Sequence, residues 1–131
     1  MTFNGSLLNV TGDITASGAL TAASKSFDIP HPSKEGMRLR YGVLEGPEHG
    51  VYVRGLVNTN VIELPDYWSA LVHENSITVQ LTPISNSTNH YVVRVEENKI
   101  YIDSDTKVIN AYFFVQAERK DVPRVNTEYK A

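Results

Sequence analysis

Two carboxylates, an imidazole and a guanidinium lie close together in the segment that runs from Glu45 to Arg54. Glu45 and Glu48 are a pair of the kind that glycosidases use for acid and base catalysis. With His49 they also offer part of the donor set of a cation site, although the set is incomplete and matches no metal motif. A structural interpretation competes with both, in which Glu45 pairs with Arg54 across a hairpin. The sequence favours that structural interpretation and predicts no enzyme activity, no metal and no cofactor.

Aromatic side chains offer a second kind of chemistry, the stacking of a sugar ring. Tyr52 lies inside the polar segment, and other candidates are spread along the chain: Tyr41, Tyr67, Trp68, Tyr91, Tyr101 and Tyr112. Several of them exposed together would bind carbohydrate, whereas aromatics at strand and helix spacing are more typical of a core or a subunit interface. Both interpretations stay open. The candidate ligand or receptor contacts are Glu45, Glu48, His49, Tyr52 and Arg54.

The composition argues against several classes of function. A formal net charge of −3 and a pI near 5.8 argue against a nucleic-acid binder, because binding to phosphates needs an excess of Lys and Arg. The chain has no Cys, which excludes a disulfide framework, a thiolate zinc site and a Cys nucleophile. No run of about 18 apolar residues is present, so we expect no membrane insertion.

The N-terminal residues carry a six-residue repeat. Its fourth position is Leu8, Ile14 and Leu20 in successive copies, its sixth position begins with Val10, and its fifth position is always polar. Short repeats place equivalent side chains at regular intervals, and each unit buries little by itself. We therefore predict an extended stem over residues 1–24 that associates with other copies through Leu8, Val10, Ile14 and Leu20. The competing interpretation is a disordered leader, since small polar residues bury little surface.

The rest of the chain, residues 25–131, has the pattern of an all-β domain. Short segments of alternating apolar residues end at Gly, Pro or Asn at intervals of ~8–12 residues, which is typical of an antiparallel β-sandwich or a barrel-like domain. One short helix is expected over residues 67–72, with Asp66 as its N-cap. Glu97 and Asn98 have the character of a two-residue hairpin turn. Residues 108–118, apolar on both faces, predict a central strand.

Three stretches of this region carry a family resemblance. They are KSFDIPHP at residues 25–32, LRYGVLEGPEHGVYVRG at residues 39–55 and IELPDYW at residues 62–68. They resemble a β-rich domain found in tail-fibre and other virion structural proteins of tailed bacteriophages, including cyanophages. The similarity runs from about residue 25 to about residue 119. The segment TGDITASGALTA at residues 11–22 also resembles the shaft that precedes such domains.

The resemblance implies a virion structural protein that forms a parallel homotrimer. In a trimer, three copies each of Leu8, Ile14 and Leu20 would meet on the axis, and each buried aliphatic side chain contributes ~1.5–3 kcal/mol. The implied role is a tail-fibre or fibre-tip component, with tail, baseplate or capsid proteins and host-surface carbohydrate as partners. The alternative is a capsid decoration or head-fibre protein that docks on the capsid lattice through its N-terminal arm. A carbohydrate-active enzyme that uses Glu45 and Glu48 is the remote alternative.

Overall fold

The computed structural model describes residues 5–85 and 87–130. It is mostly β, with 40% strand and 6% helix. Within these residues, antiparallel strands form two three-stranded sheets and a separate two-stranded hairpin, and there is one short α-helix. The predicted all-β class, a β-sandwich with one short helix, is confirmed.

The elements follow one another with short connections. In chain order the strands are β1 (Ser26–Pro30), β2 (Arg38–Gly42), β3 (Gly50–Val57), β4 (Val61–Glu63), β5 (Thr78–Pro83), β6 (His90–Glu96), β7 (Lys99–Ser104) and β8 (Ala111–Glu118). The helix α1 (Trp68–Leu71) lies between β4 and β5, and a 3₁₀ turn over Glu74–Ser76 follows it.

The first sheet has the strand order β3-β8-β5, so β8 is central as predicted. Its inward face carries Val51 of β3 beside Ala117 of β8, both buried. Gly55 lies opposite Phe113, whose Cζ and Cε1 atoms would be 3.1 and 3.2 Å from a Cβ at residue 55. A Cβ at this position would press on the ring, so the close contact helps to fix the register between β3 and β8.

The second sheet has the strand order β4-β7-β6, and its hairpin turn confirms the prediction for Glu97 and Asn98. Both residues have positive φ, 51° and 61°, which is the left-handed pair that a type I′ turn requires. The Asn98 side-chain amide donates hydrogen bonds to the carbonyls of Leu64 and Pro65, at 3.3 and 2.7 Å. The turn therefore also anchors the segment that leads into α1.

The helix α1 begins later than the sequence predicts, and Asp66 is not its N-cap. Tyr67 occupies that position and makes no side-chain capping bond. Asp66 instead lies 3.4 Å from the Lys34 ammonium group. The helix is only four residues long, and just before its first turn the Trp68 N–H donates to the Pro65 carbonyl at 2.9 Å. A carboxylate one position too early does not reach the free amides of that turn.

One hydrophobic core joins the two sheets and α1. Its largest fully buried side chains are Trp68, Leu71, Ile100, Ile102, Val51 and Val115. The β1–β2 hairpin packs against this core through Leu39, which is buried, as its alternating pattern predicts. Met37, two residues before Leu39, precedes β2 and is exposed.

Candidate functional site

The acidic residues of the polar segment lie in the connection between β2 and β3. Glu45 is exposed, whereas Glu48 is half-buried and accepts a hydrogen bond from the Gln116 side-chain amide at 3.4 Å. The carbonyl of His49 accepts from the Arg119 N–H at 2.9 Å, so its backbone has a structural role. Among residues 5–85 and 87–130, no group of three or more acidic, His or Cys side chains could hold a metal ion.

Glu45 and Arg54 do not form the predicted ion pair. Arg54 lies in the middle of β3, directly opposite Phe114 of β8. Glu45 lines a groove near the start of β3 together with Glu48, Phe114 and Gln116. The expected hairpin does not form because the pairing partner of β3 is the distant strand β8 and not β2. In the part of the chain that the structure describes, no ion pair joins the two side chains.

Tyr52 and Arg54 meet on the outward surface of the first sheet, which we call the aromatic face. Because side chains alternate along a strand, this face carries three aligned rows. From β3 across β8 to β5 the rows are Tyr52, Gln116 and Thr78, then Arg54, Phe114 and Gln80, then Leu56, Tyr112 and Thr82.

Aromatic rings cover much of this surface. The rings of Tyr52 and Phe114 are stacked, with centroids 5.2 Å apart and planes 15° from parallel. Tyr52 is 44% exposed, Tyr112 is 55% exposed and Leu56 is 66% exposed. A sheet surface facing only water is normally polar, so this set of apolar side chains makes the face a candidate contact surface.

Arg54 differs from the other arginines in having no carboxylate partner among residues 5–85 and 87–130. Among the described residues the other five are all ion-paired: Arg38 and Arg40 with Asp28, Arg94 with Glu96, Arg119 with Asp121, and Arg124 with Glu118. The guanidinium of Arg54 is exposed between two apolar side chains of its own strand, Tyr52 and Leu56. Its five N–H donors are therefore available to a ligand.

Phe114, Gln116 and Gln80 belong to the aromatic face but were not among the residues predicted from the sequence. The prediction of a strand that is apolar on both faces over residues 108–118 hides the alternation that places Tyr112, Phe114 and Gln116 together. That alternation is visible in the sequence. The position of Phe114 and Gln116 beside Tyr52 is not visible in the sequence, because it depends on the register of strands separated by more than fifty residues.

Three of the other aromatic candidates belong to the interior instead. Trp68 is fully buried, and its Nε1–H donates to the Tyr41 hydroxyl at 3.2 Å. The Tyr41 hydroxyl in turn lies 2.7 Å from the Tyr67 hydroxyl. Burial, and then the hydrogen bond to Tyr41, raise the pKa of Tyr67 above its ordinary value. Tyr101 lies beneath the Arg94 guanidinium at 3.8 Å. The core interpretation therefore applies to Trp68, Tyr41 and Tyr67, and Tyr101 packs under Arg94.

The stem is the second candidate site. Residues 5–24 contain no helix or strand, and every one of them is exposed. The repeated apolar positions Leu8, Ile14 and Leu20 are 59%, 72% and 69% exposed, and Val10 is also exposed. Residues 1–4, the remainder of the predicted stem, lie outside the described residues. No helix in the described part of the chain is long and apolar enough to cross a membrane.

Comparisons of the chain with protein-family models, with curated proteins and with solved structures find no match.

Proposed function

We propose that this chain is a structural protein of a bacteriophage virion, in which a homotrimer held by the N-terminal stem carries three β-sandwich bodies. The preferred role is a tail-fibre or fibre-tip component that contacts the host surface. The observation that carries the proposal is the uniform exposure of Leu8, Ile14 and Leu20. A single chain leaves all three in water, whereas their regular spacing allows copies of the chain to bury them together.

The stability available to such a stem agrees with this role. Each aliphatic side chain that is fully buried contributes ~1.5–3 kcal/mol, so three positions in three copies contribute on the order of 10–25 kcal/mol before the cost of ordering the chains. The β-sandwich, by contrast, buries a hydrophobic core within a single chain. The proposal therefore assigns assembly to the stem and surface contact to the body.

A second candidate role is a decoration protein of the phage head. The exposed stem also supports this role, because an apolar arm with no partner in its own chain is suited to docking on a capsid lattice. A carbohydrate-active enzyme is less favoured, since Glu48 is held by Gln116 and Glu45 is an exposed loop residue.

The position of the protein on the particle distinguishes these roles. Antibodies raised against the β-sandwich body would be applied to purified phage particles and visualised with gold-labelled secondary antibody in the electron microscope. The proposal predicts label at the distal part of the tail. Label distributed over the head would establish the decoration role, and particles free of label alongside free protein in the lysate would contradict a virion role altogether.

A further inference from the structure

We infer that the aromatic face binds a saccharide that carries a carboxylate, with pyranose rings lying on Tyr52 and Tyr112 and the carboxylate paired with Arg54. This inference rests on the proposed function, because it assigns the ligand class to the surface contact of the fibre body. It depends on three features of the face: its aromatic rings, its free guanidinium and its limited area.

The aromatic rings supply the apolar half of the contact. Tyr52 is held in position by its stacked partner Phe114, and Tyr112 lies one row further along β8. Rings fixed on a strand lose little conformational entropy when a ligand covers them. The C–H groups of a pyranose ring form an apolar surface, so a sugar stacked on these rings removes apolar area from water on both sides.

The polar groups of the face surround the rings. Gln116 and Glu48 lie on the Tyr52 side, and Gln80 and Thr82 of β5 are exposed beside the Phe114 and Tyr112 rows. Amide and hydroxyl side chains donate and accept hydrogen bonds, as sugar hydroxyls do, and the Glu48 carboxylate accepts them. Apolar rings with a few polar groups around them are the usual lining of a site for a polar small molecule.

The guanidinium of Arg54 is the group that selects an acidic sugar, and the carboxylates of Glu45 and Glu48 lie in the neighbouring groove beside Phe114 and Gln116. Arg54 lies between Tyr52 and Leu56 on β3, and within the described residues its side chain has no ion-pair partner. A guanidinium matches a carboxylate with two parallel hydrogen bonds, and such charge-assisted bonds are about twice as strong as neutral ones. A carboxylate attached to the ring that stacks on the tyrosines therefore complements the face better than a neutral sugar.

The size of the face argues against a second copy of the chain as its occupant. β3 and β8 are eight residues long. At ~3.4 Å per residue and ~4.8 Å between strands, the three-stranded face measures about 27 by 14 Å, or roughly 400 Å². A stable protein–protein contact buries about 800 Å² on each partner. The face is half that size, whereas a short oligosaccharide can cover it.

The test is a titration of the full chain with three acidic probes: a galacturonate trimer, a mannuronate trimer and 3′-sialyllactose. Maltotriose is the neutral control. Calorimetry measures affinity, and ¹H–¹⁵N spectra locate the perturbed amides. We expect at least one acidic probe to bind with amide shifts on β3, β8 and β5, and maltotriose to bind about tenfold more weakly or worse. Absence of shifts with all three acidic probes at millimolar concentration would overturn the inference.

Two arginine variants form the matched pair. Arg54→Gln removes the proposed carboxylate partner and is expected to weaken binding of the acidic probe about tenfold. Arg94→Gln removes an equally charged side chain from β6, in the other sheet, and should change affinity less than about twofold. Equal effects of the two changes would show a diffuse charge effect and contradict the site. Far-UV circular dichroism of both variants checks that the fold is intact.

The molecular mass of each variant separates this inference from the proposed function. If Arg54→Gln lowers the mass of the assembly, another copy of the chain covers the face, and the inference is wrong. If the chain forms the expected assembly but binds no acidic probe, the ligand inference is wrong and the proposed fibre role is unaffected. A monomer that binds the probe through Arg54 would support the ligand site and contradict the assembly.

Discussion

Single residues decide how closely the strands of this protein approach each other, and Gly55 shows it most clearly. Its position under the Phe113 ring leaves 3.1 Å to an added Cβ, less than a relaxed contact allows. Both residues lie on the inward side of the sheet, where Phe113 packs against the core. The neighbouring side chains Arg54 and Leu56 face outward, so strain at residue 55 would also displace the aromatic face.

We therefore expect Gly55→Ala to destabilise the fold by ~1–3 kcal/mol, the usual cost of overpacking a closed site. Gly46→Ala is the control, because an added Cβ there meets nothing within 4 Å, and it should stay within about 0.5 kcal/mol of the wild type. Urea unfolding followed by tryptophan fluorescence measures both. Equal midpoints for the two variants would show that the Phe113 ring moves aside without cost.

Asp28 couples the stability of the β1–β2 hairpin to pH. Hydrogen bonds from Arg40 and Arg38 hold the pKa of its carboxyl below the ordinary value. The two guanidinium Nε atoms lie 2.9 and 2.6 Å from its oxygens. Because the folded pKa is depressed, the stabilisation is present above the unfolded pKa of ~3.9 and is lost as the pH falls through the lower folded value.

Asp28→Asn is accordingly expected to be less stable than the wild type at pH 7 and to approach it as the pH falls below ~3.9. Thermal unfolding between pH 7 and pH 2.5 measures the difference. Asp13→Asn, in the exposed stem, is the control and should follow the wild type across the range. A difference between Asp28→Asn and the wild type that is the same at both pH values would show that the side chain acts by shape and not by charge.

At the scale of the elements, turns fix the strand pairing, and the β6–β7 turn does so in two ways. Asn98 adopts a positive φ that favours Gly and Asn, and its side chain bonds to the carbonyls of Leu64 and Pro65. Two substitutions separate these contributions. Asn98→Gly removes the two side-chain hydrogen bonds but still adopts a positive φ easily. Asn98→Ala removes the same bonds and also places a residue with a Cβ in the left-handed conformation.

The expected losses of unfolding free energy are ~1–2 kcal/mol for Asn98→Gly and about 1 kcal/mol more for Asn98→Ala. Chemical denaturation of the two variants beside the wild type gives both values. If the glycine variant is as stable as the wild type, the carbonyls of Leu64 and Pro65 find other donors and the anchoring role is wrong. If the two variants are equally destabilised, the left-handed backbone costs Ala nothing here.

Local patterns predicted the elements well where one short segment contains all the information. The turn at Glu97 and Asn98 and the central position of β8 follow from residue types within a few positions. The helix start does not, because a shift of one residue moves Asp66 from the N-cap to a salt bridge with Lys34. The expected pairing of Glu45 with Arg54 is wrong for a different reason, since β3 pairs with a strand far along the chain.

The candidate surface follows the same division between local and long-range information. Tyr52 and Arg54 could be selected from the sequence, since both belong to one strand with alternating side chains. Phe114, Gln116 and Gln80 join them only through the registers of β3 with β8 and of β8 with β5. The registers between distant strands are set by packing of the whole core, and the pattern of a single segment carries no information about that packing.

At the scale of the whole molecule, the chain has two parts that differ in where their apolar side chains lie. The β-sandwich buries its apolar residues in its own core, whereas residues 5–24 bury none of theirs. Exposure of one apolar residue is ordinary in any protein, but a repeat of exposed apolar residues at a constant interval is not. The central claim is therefore that the stem, through Leu8, Ile14 and Leu20, assembles copies of this chain.

Light scattering of the purified chain tests this claim most directly. The proposed trimer has about three times the 14.6 kDa mass of one chain. We expect that mass for the wild type, and about one chain mass for the double variant Ile14→Asp, Leu20→Asp, because carboxylates cannot be buried on an apolar axis without a large cost. Val108→Asp, which places the same charge at an exposed apolar position outside the stem, should remain trimeric. A monomeric wild type, or a double variant that keeps the full mass, would contradict the claim.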